Sequence, residues 1–270
     1  MTSAPPRRTV LVTGASAGLG LAFARVFATH GFDLVLTARR EKRLRAIADE
    51  LTARYQVAAR IVPGDLEDPE APARIVGTIA ADGVRIDALV NNAGYGLPGK
   101  YVDTAWDAQA RFLQIMVTAY AEMVHRVLPG MVERQYGRII NVSSVAGLVP
   151  GTPGHTLYAA SKAFLVKFSQ SVALETRRHG VHVTAVCPGF THTEFHDVNG
   201  TREMVAARVP KFMWLDADEV ARQGFDAVMA GRLQVVPGLG YKALVSLARH
   251  LPDSLVLKAT LRQSRRFRAQ

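Results

Sequence analysis

Tyr158 and Lys162 stand four residues apart in the run LYAASKAF (157–164). In a helix that spacing puts both side chains on one face, one turn apart. An ammonium group beside a phenol stabilises the phenolate and lowers the tyrosine pKa, which suits the phenol to proton transfer. An exposed helix face that merely carries both residues is the plainer alternative, and the rest of the chain decides between them.

A second stretch suggests an anion site. TGASAGLG (13–20) follows the first apolar run and opens the first helical stretch, with Gly14, Gly18 and Gly20 around Ser16, Ala17 and Leu19. Glycines there allow a tight turn, close backbone approach and tight helix packing. The helix N-terminus then offers N–H groups and a positive dipole end to a pyrophosphate. The second apolar run ends in TARRE (37–41), where a binder of unphosphorylated dinucleotide usually has an acid for the ribose hydroxyls. Ala38, Arg39 and Arg40 stand there instead, and a guanidinium can clamp a 2′-phosphate with two hydrogen bonds. NADP(H) is therefore the expected cofactor.

The elements that must position these groups alternate. Near-continuous apolar runs at 8–14, 32–38, 59–65, 87–94, 137–144 and 181–189 read as strands buried on both faces. Helical stretches at 18–30, 41–54, 68–82, 107–134 and 159–179 separate them. The expected fold class is α/β, a single-domain Rossmann-type doubly wound parallel sheet spanning 1–270. Residues 188–215 are irregular and follow a strand end, where ligands bind in such sheets, so they are expected to form a lid. After a short strand at 233–238, residues 241–270 read as a basic amphipathic tail.

TGASAGLG, NNAG (91–94), a serine near the end of the fifth strand, YAASK and PG (188–189) together resemble the short-chain dehydrogenase/reductase family, in order, over about residues 8–236. The resemblance implies that Tyr158 is the general acid/base and that Lys162 depresses its pKa and holds the nicotinamide ribose. It implies Ser144 rather than Ser143 as the serine that hydrogen-bonds the substrate oxygen; adjacent strand residues face opposite ways, so only one can serve. The path from Ser144 to Tyr158 is one residue longer than usual in the family, and PGTPGH (150–155) can absorb it. Asp65 and Leu66 would flank the adenine, and Asn92, with Ala93 and Gly94, would lie beside the adenosine ribose. Pro188, Gly189, Thr191 and Thr193 would run against the nicotinamide end. The family usually has an Asn that holds a relay water where this chain has Met116, and a thioether is a poor substitute. The function implied is NADP(H)-dependent interconversion of a carbonyl and an alcohol on a small apolar molecule, in a homo-oligomer. A cofactor-binding regulatory or scaffold protein with weak or lost catalysis is the alternative that Met116 raises.

Bulk composition excludes other classes. The 270 residues are 49% hydrophobic and 21% charged, which excludes disorder. Cys187 is the only cysteine, so no disulfide forms within the chain, and a cytoplasmic setting is expected. MTSAPPRRTV lacks the apolar core of a signal peptide, and no apolar run is long enough to span a bilayer. Of the formal charge of +10, residues 241–270 carry seven Lys or Arg against one Asp. With no basic-aromatic platform this argues against nucleic acid, while peripheral contact of 254–268 with an anionic membrane is a competing location. His192, Glu194 and His196 resemble metal ligands by type alone, without HExxH spacing, so no metal is expected. Cys187 reads as an inert core thiol, and Trp106, Phe190, Phe195, Phe212, Met213 and Trp214 as an apolar substrate wall.

Overall fold

The computed structural model describes residues 7–151, 153–154, 156–194, 209–251 and 257. Seven strands form one parallel sheet: β1 (Thr9–Thr13), β2 (Asp33–Thr37), β3 (Ala59–Ile61), β4 (Ala88–Asn91), β5 (Gly137–Val142), β6 (Val181–Val186) and β7 (Gln234–Val235). Their order is β3-β2-β1-β4-β5-β6-β7. β1 pairs with β2 through Thr9↔Asp33 to Thr13↔Thr37 and with β4 through Val10↔Ala88 to Val12↔Val90. The strand order reverses between β1 and β4, so a crevice opens at their C-terminal ends. β1 and β4 are buried along their whole lengths, which explains their unbroken apolar runs.

Helices cover both faces. On one, α1 (Gly18–Thr29), α2 (Glu41–Tyr55) and α7 (Ala217–Met229) bury Phe23, Phe27, Leu44, Leu51 and Phe225 against Val10, Val12 and Leu36. On the other, α3 (Ala71–Ala81), α4 (Trp106–Leu113), α5 (Ala119–Glu133) and α6 (Thr156–Thr176) bury Ile75, Phe112, Met123 and Val172 against Leu11, Leu89 and Ile139. α8 (Leu239–His250) follows β7.

The structure departs from the sequence reading in four places. β3 keeps only residues 59–61 of the expected 59–65. The expected helix 107–134 is broken by a π-helical turn at Gln114–Thr118. α6 begins at Thr156 rather than 159, which puts Tyr158 in its first turn. The start of the expected basic tail is α8, whose Tyr241 and Val245 are buried. Of the expected lid, 195–208, with Phe195 and His196, lie outside the described residues, as do 252–256 and 258–270 of the tail. No helix among the described residues is long and apolar enough to cross a membrane.

Candidate active site

The crevice is built first by backbone clamps. Thr13 Oγ1, at the end of β1, donates to Val90 O (3.2 Å) and accepts from the N–H groups of Asn92 (2.8 Å) and Ala93 (3.0 Å). Asn92 Nδ2 donates to Thr13 O (3.0 Å) and Gly14 O (3.4 Å). The amide nitrogen expected beside a ribose is thus committed to joining β1 to β4. Gly14 has φ +66°, and a Cβ on Gly20 would stand 2.2 Å from Gly14 O, so α1 packs against the loop only because Gly20 has no side chain. Ala17 caps α1 without a side-chain hydrogen bond, and no acid lies in the first turn. Neither the cap nor the first turn of α1 thus supplies a side-chain acceptor or a carboxylate of its own against a pyrophosphate.

Ser144, Tyr158 and Lys162 are brought together where β5 ends beneath α6. Ser143 and Ser144 take different partners. Ser143 Oγ donates to Lys162 O (2.7 Å) and ties the strand to the helix. Ser144 Oγ accepts from Ala146 N (3.2 Å), lies 3.4 Å from Pro188 O and is hydrogen-bonded to Tyr158. α6 approaches this closely because Gly147 has no side chain: a Cβ there would stand 2.5 Å from the Lys162 carbonyl carbon.

Lys162 is buried; its Nζ donates to Val142 O (2.8 Å) and stands 5.6 Å from the Tyr158 ring centroid and 5.8 Å from that of Tyr120. Burial pushes its pKa down to about 7, with Cys187 acting weakly the other way. Burial likewise pushes Tyr158 up, and the Ser144 hydrogen bond pulls it partly back. Burial thus acts against the lowering of Tyr158 expected from Lys162. Desolvation disfavours each charged form, and an amine titrating near 7 is only about half ammonium at neutral pH.

The β2 end carries the expected arginines, differently employed. Arg39 Nη1 lies 4.0 Å from Asp65 Oδ2 and from Glu67 Oε1. Arg40 turns to the glycine loop, donating to Ser16 Oγ from Nη2 (3.0 Å) and Nε (3.3 Å), and also donates to Glu194 Oε2 (3.1 Å). Arg43, which the sequence reading passed over, donates to Glu194 Oε1 (2.5 Å). Asp65 Oδ1 accepts from Glu67 N (3.1 Å), whereas Leu66 packs its side chain into the core.

The segment after β6 crosses above the glycine loop. Pro188 O accepts from Val145 N (3.0 Å), Thr191 Oγ1 donates to Gly189 O (3.1 Å), and Thr191 bridges to Leu215. Thr193 lies over Gly18, where a Cβ would stand 3.0 Å from its own. Tyr241 of α8 anchors this segment from beneath: its hydroxyl accepts from Phe190 N (3.0 Å) and donates to Met213 O (2.8 Å), and a Cβ on Gly189 would reach within 2.0 Å of its ring. Nothing in the local sequence marks Tyr241, because its partners lie 28 and 51 residues away. Of the expected apolar wall, Phe190 and Trp214 meet, with Phe190 tilted against Trp214 at 5.9 Å; His192, outside that set, stacks on Trp214 at 4.7 Å. Trp106 and Phe212 remain largely exposed. Glu194 is held by arginines, and among the described residues no three His, Cys, Asp or Glu gather as a metal site.

Met116 is fully buried in the π-helical turn, and a Cβ on Gly94 would fall 2.4 Å from its sulfur. The thioether fills the space beneath the NNAG loop. Gln114 opens the π-helical turn, and among the described residues its buried Nε2 has no hydrogen-bond partner.

The family model "short chain dehydrogenase" matches residues 8–203. Sulfoacetaldehyde reductase 2 of Chromohalobacter salexigens is 36% identical over 241 residues, covering 84% of this chain and 93% of that protein. A short-chain dehydrogenase from Sphingobium yanoikuyae in complex with NADPH superposes with a TM-score of 0.79 at 32% identity, covering 90% of this chain and 93% of its own. A short-chain dehydrogenase/reductase from Burkholderia phymatum in complex with NAD also superposes at 0.79, with 26% identity and coverage of 89% and 92%.

Proposed function

We propose that this chain, which belongs to the short-chain dehydrogenase family, is an NADP(H)-dependent oxidoreductase that interconverts a carbonyl and an alcohol on an apolar small molecule. The observation that carries the reading is the convergence of Ser144, Tyr158 and Lys162 beside a glycine loop whose helix start has no side-chain cap. Gly14, Ser16 and the α1 N-terminus fit the pyrophosphate of a dinucleotide, and Arg39 and Arg40 fit a 2′-phosphate better than a bare ribose. The Sphingobium relative's NADPH agrees with this choice, while the Burkholderia relative's NAD shows that the fold alone does not make it.

The bound dinucleotide supplies or accepts the hydride. The chain's own residues do the rest. Ser144 orients the substrate oxygen and shares a hydrogen bond with Tyr158. Tyr158, kept as the neutral phenol by burial, gives its proton to the carbonyl oxygen in reduction and takes one back from the alcohol in oxidation. The phenolate left after donation is stabilised by the Lys162 ammonium, and an amine titrating near 7 can return that proton at neutral pH. Phe190, His192 and Trp214 offer the apolar and aromatic wall a ketone or aldehyde would meet.

The test is loss of NADPH absorbance with a panel of aldehydes and ketones, using Tyr158→Phe as control. Wild-type consumption should fall by at least a hundredfold in the variant, with NADPH binding retained. Turnover that survives Tyr158→Phe would overturn the mechanism.

A further inference from the structure

We propose that Glu194 is a specificity-determining residue, an internal carboxylate that competes with the 2′-phosphate of the dinucleotide for the guanidinium groups of Arg40 and Arg43. The inference rests on the reading of the β2 end as a phosphate site, and it adds a counterweight that the arginines alone do not contain.

Glu194 stands 154 positions beyond Arg40, yet its two carboxylate oxygens divide between two guanidinium groups: Oε2 accepts from Arg40 Nη2 at 3.1 Å and Oε1 from Arg43 Nη2 at 2.5 Å. Two oxygens of one anion held by two arginines is how a phosphate would be held. The contact also belongs to the cofactor crevice. The same Arg40 Nη2 donates to Ser16 in the glycine loop, and Thr193, next to Glu194, lies over Gly18 at the start of α1. Burial is the largest single influence on Glu194 and raises its pKa, but the hydrogen bonds and charges of Arg43 and Arg40 together outweigh it and hold the carboxyl below the ordinary range. Glu194 is therefore an anion wherever the enzyme works.

The side chains stay between 37% and 50% exposed, so the arrangement can exchange partners at modest cost. A 2′-phosphate carries about 1.5 to 2 negative charges and must either displace this carboxylate or sit beside it. A bare 2′-hydroxyl demands neither, and leaves both ion pairs intact. Glu194 thus weakens the phosphorylated dinucleotide selectively, and the preference of the chain is the difference between what its arginines attract and what this carboxylate withholds.

The experiment titrates NADPH and NADH, by nicotinamide fluorescence, into wild type and Glu194→Gln at one ionic strength. The substitution keeps shape and solvent exposure, and a thermal scan confirms folding. NADPH should bind about tenfold tighter to the variant, the size of one or two exposed ion pairs, with NADH changed less than twofold. Wild type that prefers NADPH, with the ratio unmoved by Glu194→Gln, overturns the inference and leaves the NADP reading standing. Wild type that prefers NADH, with the variant swung toward NADPH, supports the inference and overturns the plain NADP reading. A preference for NADH unmoved in the variant overturns both, and equal tightening of both dinucleotides assigns Glu194 to holding its segment and overturns the inference.

Discussion

Lys162 is where two demands on one side chain conflict. In the proposed mechanism Tyr158 passes through its phenolate and an ammonium at Nζ is useful to it, yet the site buries that nitrogen against Val142 O and drives its pKa to about 7. The conflict is measurable as stability. Below about pH 7 the folded and unfolded chains both hold the proton, and above 10.5 neither does. Between those limits the unfolded chain binds the proton and the folded chain does not, so the Lys162 contribution to stability rises with pH. Tyr158, pushed up, acts in the other direction only at higher pH, where the unfolded phenol ionises and the folded one does not. In urea unfolding without cofactor, wild type should gain about 2 kcal/mol relative to Lys162→Met between pH 7 and 9. The variant has lost the hydrogen bond to Val142 O, but that shifts its curve without tilting it. Parallel profiles for the two proteins would show that Lys162 stays charged in the folded state.

Among the elements, helices α4 and α5 show what a periodic pattern conceals. Their apolar positions read as one helix over 107–134, because a single π-helical turn inserts one residue and shifts the pattern by only about a quarter turn. The turn falls where Met116 packs its sulfur on Gly94, a contact between residues 22 positions apart that no local window contains. The same reason hid the role of α8. Local composition marked 241–270 as basic, and only the tertiary fold brings Tyr241 beneath Gly189. By contrast, the glycine loop before α1 and the placing of Tyr158 and Lys162 on one helix were legible, since each is fixed by spacing within one or two adjoining elements. The hidden element carries its own prediction. Tyr241→Phe keeps the ring that fills the space at Gly189 but removes the hydroxyl that joins Phe190 N to Met213 O. An amide left without its partner costs about 1–3 kcal/mol, taken here from the ordering of the segment above the glycine loop. NADPH should bind several-fold more weakly to Tyr241→Phe, with kcat at saturating cofactor within about twofold of wild type. A fall in kcat with unchanged cofactor affinity would move Tyr241 from the cofactor side of the crevice to the chemistry.

At the scale of the whole molecule, the crevice is not carried by any one segment. Thr13 and Gly14 end β1, Asn92 and Ala93 follow β4, Ser144 ends β5, Tyr158 and Lys162 lie on α6, Gly189 follows β6 and Tyr241 lies on α8. The alternation of strands and helices announced a doubly wound sheet, but not the order that places β4 beside β1 across 77 to 80 residues. That order makes the proposed cofactor site a property of the entire sheet, since local opening at any of these elements opens the crevice. Dinucleotide binding should therefore raise global stability rather than tighten one lobe. At a hundred times its dissociation constant a ligand adds about 2.7 kcal/mol, which for a domain of this size raises Tm by roughly 5–10 °C in one cooperative transition. Differential scanning calorimetry with NADPH should show that shift equally in wild type and Tyr158→Phe, because the hydroxyl removed serves the proton and not the fold. NADH at the same concentration should give a smaller shift. A transition that splits in two on adding NADPH would mean that the β1–β3 and β4–β7 halves unfold separately, and that the clamps from Thr13 and Asn92 do not couple them.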